Sequence, residues 1–219
     1  PSIVTANPAA GFSIVSYTGD SSSTQYMGHG LSKAPECFIL KSRSTAGHSW
    51  RVYHKGLGHF HQSLFFSNNQ ASNNNSSVWG ADPDVNYISV GNDAGVNTTG
   101  DKYTAWCFHS VPGYSMFGEY AGNDNSDGPF MHLGFKPALF ISKVWNATGA
   151  WGHLDSDRPL YNPTNENFTP HSVSVPGTSS QCDFLSNGIK INTASGGQNT
   201  GTMVFMACAE SPFKYGNAR

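Results

Sequence analysis

The sequence predicts an all-β fold, an antiparallel β-sandwich or jelly roll built from two similar halves of about 100 residues each. Three observations carry this. The first is a series of short runs rich in aromatic and β-branched residues, bounded by Gly, Asn, Asp and Ser. In the first half they are Ser13–Tyr17, Glu36–Arg43, Trp50–His54, Ser63–Ser67, Asn86–Gly91 and Tyr103–Val111; in the second they are Met116–Ala121, Pro137–Trp145, Trp151–Ser156, Cys182–Ser186, Gly188–Ala194 and Thr202–Glu210. The second is that no helical periodicity competes with them. The third is that short motifs recur in unchanged order.

The recurrences begin with Tyr17-Thr18-Gly19-Asp20, answered by Tyr120-Ala121-Gly122-Asn123. Gly30-Leu31 and Phe38-Ile39-Leu40-Lys41 match Gly134-Phe135 and Phe140-Ile141-Ser142-Lys143. Trp50 answers Trp151, and Asn97-Thr98-Thr99-Gly100 answers Asn199-Thr200-Gly201. The expected organisation is a lead-in over 1–10, repeats over 11–112 and 113–212, and a tail over 213–219. The join at Val111–Ser115 is too short for a flexible linker, so the halves are expected to be held rigidly.

Composition excludes several functions. Charged residues are 12% and the formal charge is −2, which leaves no basic patch for phosphates, so nucleic acid is not an expected partner. No apolar run approaches the roughly 18 residues of a membrane span, so no membrane insertion is expected. The chain opens on Pro1 without Met, which reads as the C-terminal portion of something longer.

Candidate sites follow from residue type and spacing. Cys37, Cys107, Cys182 and Cys208 have no metal-ligand spacing and read as buried thiols, although spacing alone leaves their pairing open. His59 and His61 would share a strand face near His54, but lack a third ligand, and they read as a polar edge or loop, so no metal is expected. Asp155 and Asp157 alternate on one strand face and could hold calcium or serve as an acid and base pair, but they read rather as a solvated strand end. No nucleophile elbow, phosphate loop or zinc-protease motif occurs. No catalytic residue and no cofactor are therefore expected.

The motifs Y-T-G-[DN], G-x-x-x-x-P-x-x-F-I-x-K, W-R-V-Y-H and V-N-x-x-G-D-x-Y-x-A-W-C-F, with the ending AESPFKYGNAR, resemble repeat modules in structural proteins of tailed bacteriophages, especially marine and cyanobacterial ones. The ending is also similar to the natural C-terminus of such proteins. The resemblance implies a virion component in a tail fibre, a tail spike or another surface appendage, acting at the virion surface outside the cell. It implies other virion proteins and copies of the chain itself, in a homotrimer, as partners, and a host receptor or glycan as target.

An Asn, Ser, Thr and Gly surface with interspersed rings suits glycans, because aromatic faces stack on sugars and amides bind hydroxyls. Trp79, Trp145, Trp151 and Tyr161 lie in or beside polar, loop-like stretches and are the candidate contacts, joined by Asp155 and Asp157. Trp50 and Trp151 hold matching repeat positions, as core residues do, so Trp79 and Trp145 carry more of the expectation. Two alternatives stand beside adhesion: a self-assembling or decorating virion subunit, and a polysaccharide-cleaving enzyme with clustered carboxylates.

Overall fold

A computed structural model describes residues 2–159, 161–173, 177, 182–194 and 198–211. The fold is all-β and antiparallel, with sheets packed as a sandwich. Contacts divide the chain into two compact units, Pro1–Ser67 with Ser72–Ser110, and Asn68–Ala71 with Val111–Arg219. The expected tail, 213–219, lies outside the described residues, as does Pro212 at the end of the second expected repeat.

Unit 1 contains β1 (Ser2–Asn7), β2 (Phe12–Thr18), β3 (Gln25–Gly28), β4 (Cys37–Ser42), β5 (Arg51–His54), β6 (Gln62–Phe65), β7 (Asn73–Asn74), β8 (Tyr87–Val90) and β9 (Lys102–Phe108). Its larger sheet runs β1-β2-β9-β4-β5-β6-β7, and β3 pairs with β8 in a smaller one. Strand alternation sends Val15, Tyr17, Phe38, Leu40, Tyr103, Ala105 and Cys107 inward, where they meet Met27, Ile88 and Val90 of the small sheet. Each such side chain contributes about 1.5–3 kcal/mol by leaving water.

Unit 2 contains β10 (Ser115–Ala121), β11 (Phe130–His132), β12 (Pro137–Val144), β13 (Gly152–Asp155), β14 (Cys182–Leu185), β15 (Gly188–Ile191) and β16 (Thr202–Ala209). Its sheets run β10-β16-β12-β13 and β11-β15-β14. Tyr120, Phe140, Leu154, Met203 and Phe205 pack there against Met131, Phe184, Ile189 and Ile191. The order β10-β16-β12-β13 has its counterpart in β2-β9-β4-β5, taken in the same chain order.

The recurring motifs form one clasp in each unit. Tyr17 donates its hydroxyl hydrogen to the Val96 carbonyl at 2.5 Å, and Tyr120 donates to the Gln198 carbonyl at 2.8 Å. Asn97 is fully buried; its Oδ1 accepts from the Asp20 N–H and its Nδ2 donates to the Ser22 carbonyl. Asn199 is equally buried, accepts from the Asn123 N–H, and donates to the Asn125 and Thr193 carbonyls. A buried amide so satisfied stabilises the loop it holds, whereas an unsatisfied one would cost about 1–3 kcal/mol. Ser21 and Asp124, one position after the clasped residues, adopt positive φ of 57° and 52°. The motifs are thus structural.

Two expectations require correction here. Residues 2–7 of the expected lead-in are strand β1, hydrogen-bonded to β2 along its whole length. Its burial shows no alternation, which is why pattern did not reveal it. Trp50 and Trp151 do not share a core role: Trp151 is 5% exposed, whereas Trp50 is 37% exposed and stacks on Trp106 with centroids 5.3 Å apart. His59 and His61, by contrast, lie as expected in a polar turn, just before β6, with ring centroids 4.5 Å apart.

All four cysteines are free, and burial pushes the thiols of Cys37, Cys107 and Cys182 well up, Cys107 to about 12. Cys37, Cys107 and Cys182 act as small core hydrophobes, whereas Cys208 is only half-buried, which corrects its expected full burial.

Candidate functional site

Of the sequence candidates, Tyr161 stands where a ligand could reach it. Its ring is 84% exposed, on the segment that follows β13, at the edge of a cavity of about 270 Å³. Lys136, Ser156, Pro159, Asn162, Thr164 and Phe184 complete the wall. The segment is held in place by Asn162, whose amide pairs with the Phe184 backbone as a strand would: Nδ2 donates to the Phe184 carbonyl and Oδ1 accepts from its N–H, each at 3.0 Å. Thr164 is buried and exchanges two backbone bonds with Cys182. The ammonium of Lys136 lies 2.7 Å from a Glu210 carboxylate oxygen, so the cavity carries little net charge.

Asp155 serves the turn beneath this cavity. Its Oδ1 accepts from the Asp157 and Arg158 N–H groups at 3.2 and 3.1 Å, and its Oδ2 lies 3.0 Å from the Arg158 guanidinium and 3.6 Å from His153. Burial pulls the His153 imidazole below its ordinary value and the Arg158 charge adds to this, against the attraction of Asp155. Asp155 is therefore an Asx-turn and ion-pair residue, which corrects its expected role as a ligand contact. Asp157 is exposed and free to meet solvent through its carboxylate, apart from a 3.4 Å contact from the Ser156 hydroxyl.

The tryptophans divide differently from expectation. Trp79 is 1% exposed, its ring edge-on to Phe38 at 4.8 Å and to Tyr53 at 6.4 Å, and its indole N–H donates to the Gln62 carbonyl at 3.1 Å. Trp79 and Trp151 are thereby corrected from ligand contacts to core residues, since a ring sealed from water cannot stack on a solute. Both sit among polar loop neighbours because each plugs the core from a loop or strand end. Trp145 is half-buried just past β12, its backbone N–H bonded to Thr202 and its indole N–H without an acceptor among the described residues.

Unit 1 carries a second cavity, of about 210 Å³, walled by Tyr53, Lys55, Gly58, His59, Phe60 and Asp82. The Tyr53 phenol is pushed up to about 12, first by burial and then by the nearby Asp82 charge. Lys55 lies 2.8 Å from Glu36. Burial opposes ionisation of Glu36, but the Lys55 and Ser110 hydrogen bonds prevail and hold its carboxyl below the ordinary value. Among the described residues no three His, Cys, Asp or Glu side chains gather into a metal-binding group.

Sequence reasoning did not find Lys136, Ser156, Thr164 or Phe184, nor Phe60 and Asp82. One signal was present: Phe60 and Tyr161 are aromatic residues at corresponding places between the matched Trp50/Trp151 and Asn97/Asn199 pairs.

The chain is thus all-β, built of antiparallel sheets packed as a sandwich. It is a member of the family described as a domain of unknown function (DUF7483), matched over residues 1–212. No curated protein and no solved structure matches it.

Proposed function

We propose that this domain is a binding module on the surface of a phage virion, carried in a tail fibre or spike, that adheres to a host-surface glycan. The observation that carries this reading is the ring of Tyr161, 84% exposed beside a cavity edged with hydroxyls. A pyranose offers an apolar C–H face and a hydroxylated rim, and the tyrosine ring suits the first. The Ser156 hydroxyl and the Lys136 ammonium suit the second. With Lys136 balanced by Glu210, the cavity favours a neutral sugar. The low charge of the chain and its resemblance to phage repeat modules support the same reading.

Adhesion fits better than hydrolysis, because Asp155 spends both carboxylate oxygens on its own turn. No cofactor enters the reading. Three copies of the chain, with other virion proteins, would let weak single sites hold a cell through multivalency.

Tyr161→Ala is expected to lower affinity for the oligosaccharide best retained on a glycan array by about tenfold, the worth of one good ring contact. Its melting temperature should stay put, since the ring is exposed. Wild-type affinity in this variant would refute the placement, and a chain retaining no glycan at all would refute the function.

A second reading, assembly with copies of itself, has its own observation. β1 closes the larger sheet of unit 1 as an edge strand, contains no charged residue in Ser2–Asn7, and exposes Ile3 at 76%. Such an edge is a template for another strand. If β1 assembles copies, Ile3→Lys will abolish concentration-dependent association in sedimentation velocity. A wild-type chain that stays monomeric at every concentration would exclude this role.

A further inference from the structure

The two cavities occupy one structural position. Strand register supplies the correspondence: Cys37 pairs with His54 and Phe38 with Tyr53 on one hairpin, Leu139 with Asp155 and Phe140 with Leu154 on the other. His54 and Asp155 are therefore equivalent, and both perform the same local task with different chemistry. The Gly56 N–H donates to His54 Nδ1 at 3.0 Å, and the Asp157 N–H donates to Asp155 Oδ1 at 3.2 Å. The N–H of the next residue in each unit then donates back to the residue before the first strand or at its start, Lys55 to the Glu36 carbonyl at 2.8 Å and Ser156 to the Ala138 carbonyl at 3.0 Å. Counting on from that shared turn, Lys55, Gly58 and Phe60 match Ser156, Pro159 and Tyr161, and all six line their respective cavities.

Two surface hollows that arise by chance would not share three wall positions. Conversely, had only the framework been retained, the unit 1 hollow would be filled by larger side chains or lined by residues without function. It holds instead a ring, Phe60, half-buried against the core and so fixed in place; a carboxylate, Asp82, exposed at the wall; and an ammonium, Lys55, balanced by Glu36. A fixed ring and a carboxylate beside a neutralised cation suit vicinal hydroxyls on a compact uncharged ring, because a carboxylate accepts from two hydroxyls at once. An anionic ligand would meet Asp82 and Glu36.

We propose that the unit 1 cavity is a second saccharide site, for a neutral hexose residue, so that one chain carries two sites of the same origin and different wall chemistry. This rests on the glycan reading of the unit 2 cavity.

The test is an amide NMR titration of the full chain with methyl glucoside, methyl galactoside and methyl mannoside in turn. One of them is expected to shift resonances of Lys55, Gly58 and His59 together with those of Ser156 and Tyr161. Asp82→Ala should weaken the first set about tenfold, the worth of one charge-assisted hydrogen bond, and leave the second unchanged. Phe60→Leu, which keeps most of the buried volume, should do the same and guards against simple unfolding. Tyr161→Ala should give the mirror result. Shifts confined to the unit 2 residues would overturn the inference while sparing the reading it rests on. Shifts at neither cavity would overturn both, and equal effects of Asp82→Ala on both sets would show that Asp82 acts through structure.

Discussion

Alanine at Gly122 is expected to destabilise the protein by about 3 kcal/mol or more, a large share of a typical 5–15 kcal/mol total. The added Cβ would lie 2.3 Å from the Asn199 carbonyl carbon, 2.4 Å from its oxygen and 2.6 Å from the Thr200 nitrogen. These are backbone atoms, and the clasp holds them, so the strain cannot be relieved by a rotamer change. Gly19→Ala should behave alike in unit 1, where the Cβ would meet the Thr98 carbonyl oxygen at 2.3 Å. Gly47→Ala is the matched control: its φ is +91° but nothing lies within 4 Å, so it should cost only about 1 kcal/mol. Urea unfolding of the three variants separates steric from conformational loss. If Gly19→Ala and Gly122→Ala unfold at the same midpoint as Gly47→Ala, the clasp is not what these glycines serve.

The strands that sequence revealed are those with one face in a core. Phe38 and Leu40 alternate in burial with half-exposed Ile39 and Lys41, and Val15 and Tyr17 with half-exposed Ile14 and Ser16; what sequence made legible was the dense run of aromatic and β-branched residues between turn residues. The strands that it did not reveal have no such contrast: β3 and β11 send one core residue each inward, Met27 and Met131, from segments of four and three residues. For the site, Tyr161 was legible because an aromatic residue followed by Asn, Pro and Thr has nowhere local to be buried, and its exposure agrees. The rest of its cavity was not, because Lys136 and Phe184 are brought to it only by sheet pairing far along the chain. Asp155 and Asp157 show the converse difficulty: alternation suggests two outward carboxylates, while the structure folds the first back onto the turn it begins.

Trp79 tests how a ring in a polar loop is to be read. Trp79→Ala is expected to cost about 3–5 kcal/mol, the range for removing a fully buried aromatic side chain. The loss combines the vacated volume, two edge-to-face contacts with Phe38 and Tyr53, and the Gln62 carbonyl left without its donor. Trp79→Phe should recover most of the packing but not the hydrogen bond, leaving a residual loss of about 1–3 kcal/mol. The surrounding residues explain why no milder outcome is expected. Val78 beside it is fully buried, and a Cβ on Gly80 would meet Thr24 Cγ2 at 2.4 Å, so the loop is tight on both sides and cannot collapse into the space. Were Trp79 a ligand contact, Trp79→Ala would leave the urea midpoint near wild type and remove glycan binding. The structure predicts the opposite order: a large shift in midpoint, with the amide shifts at Tyr161 on adding sugar kept in whatever fraction remains folded.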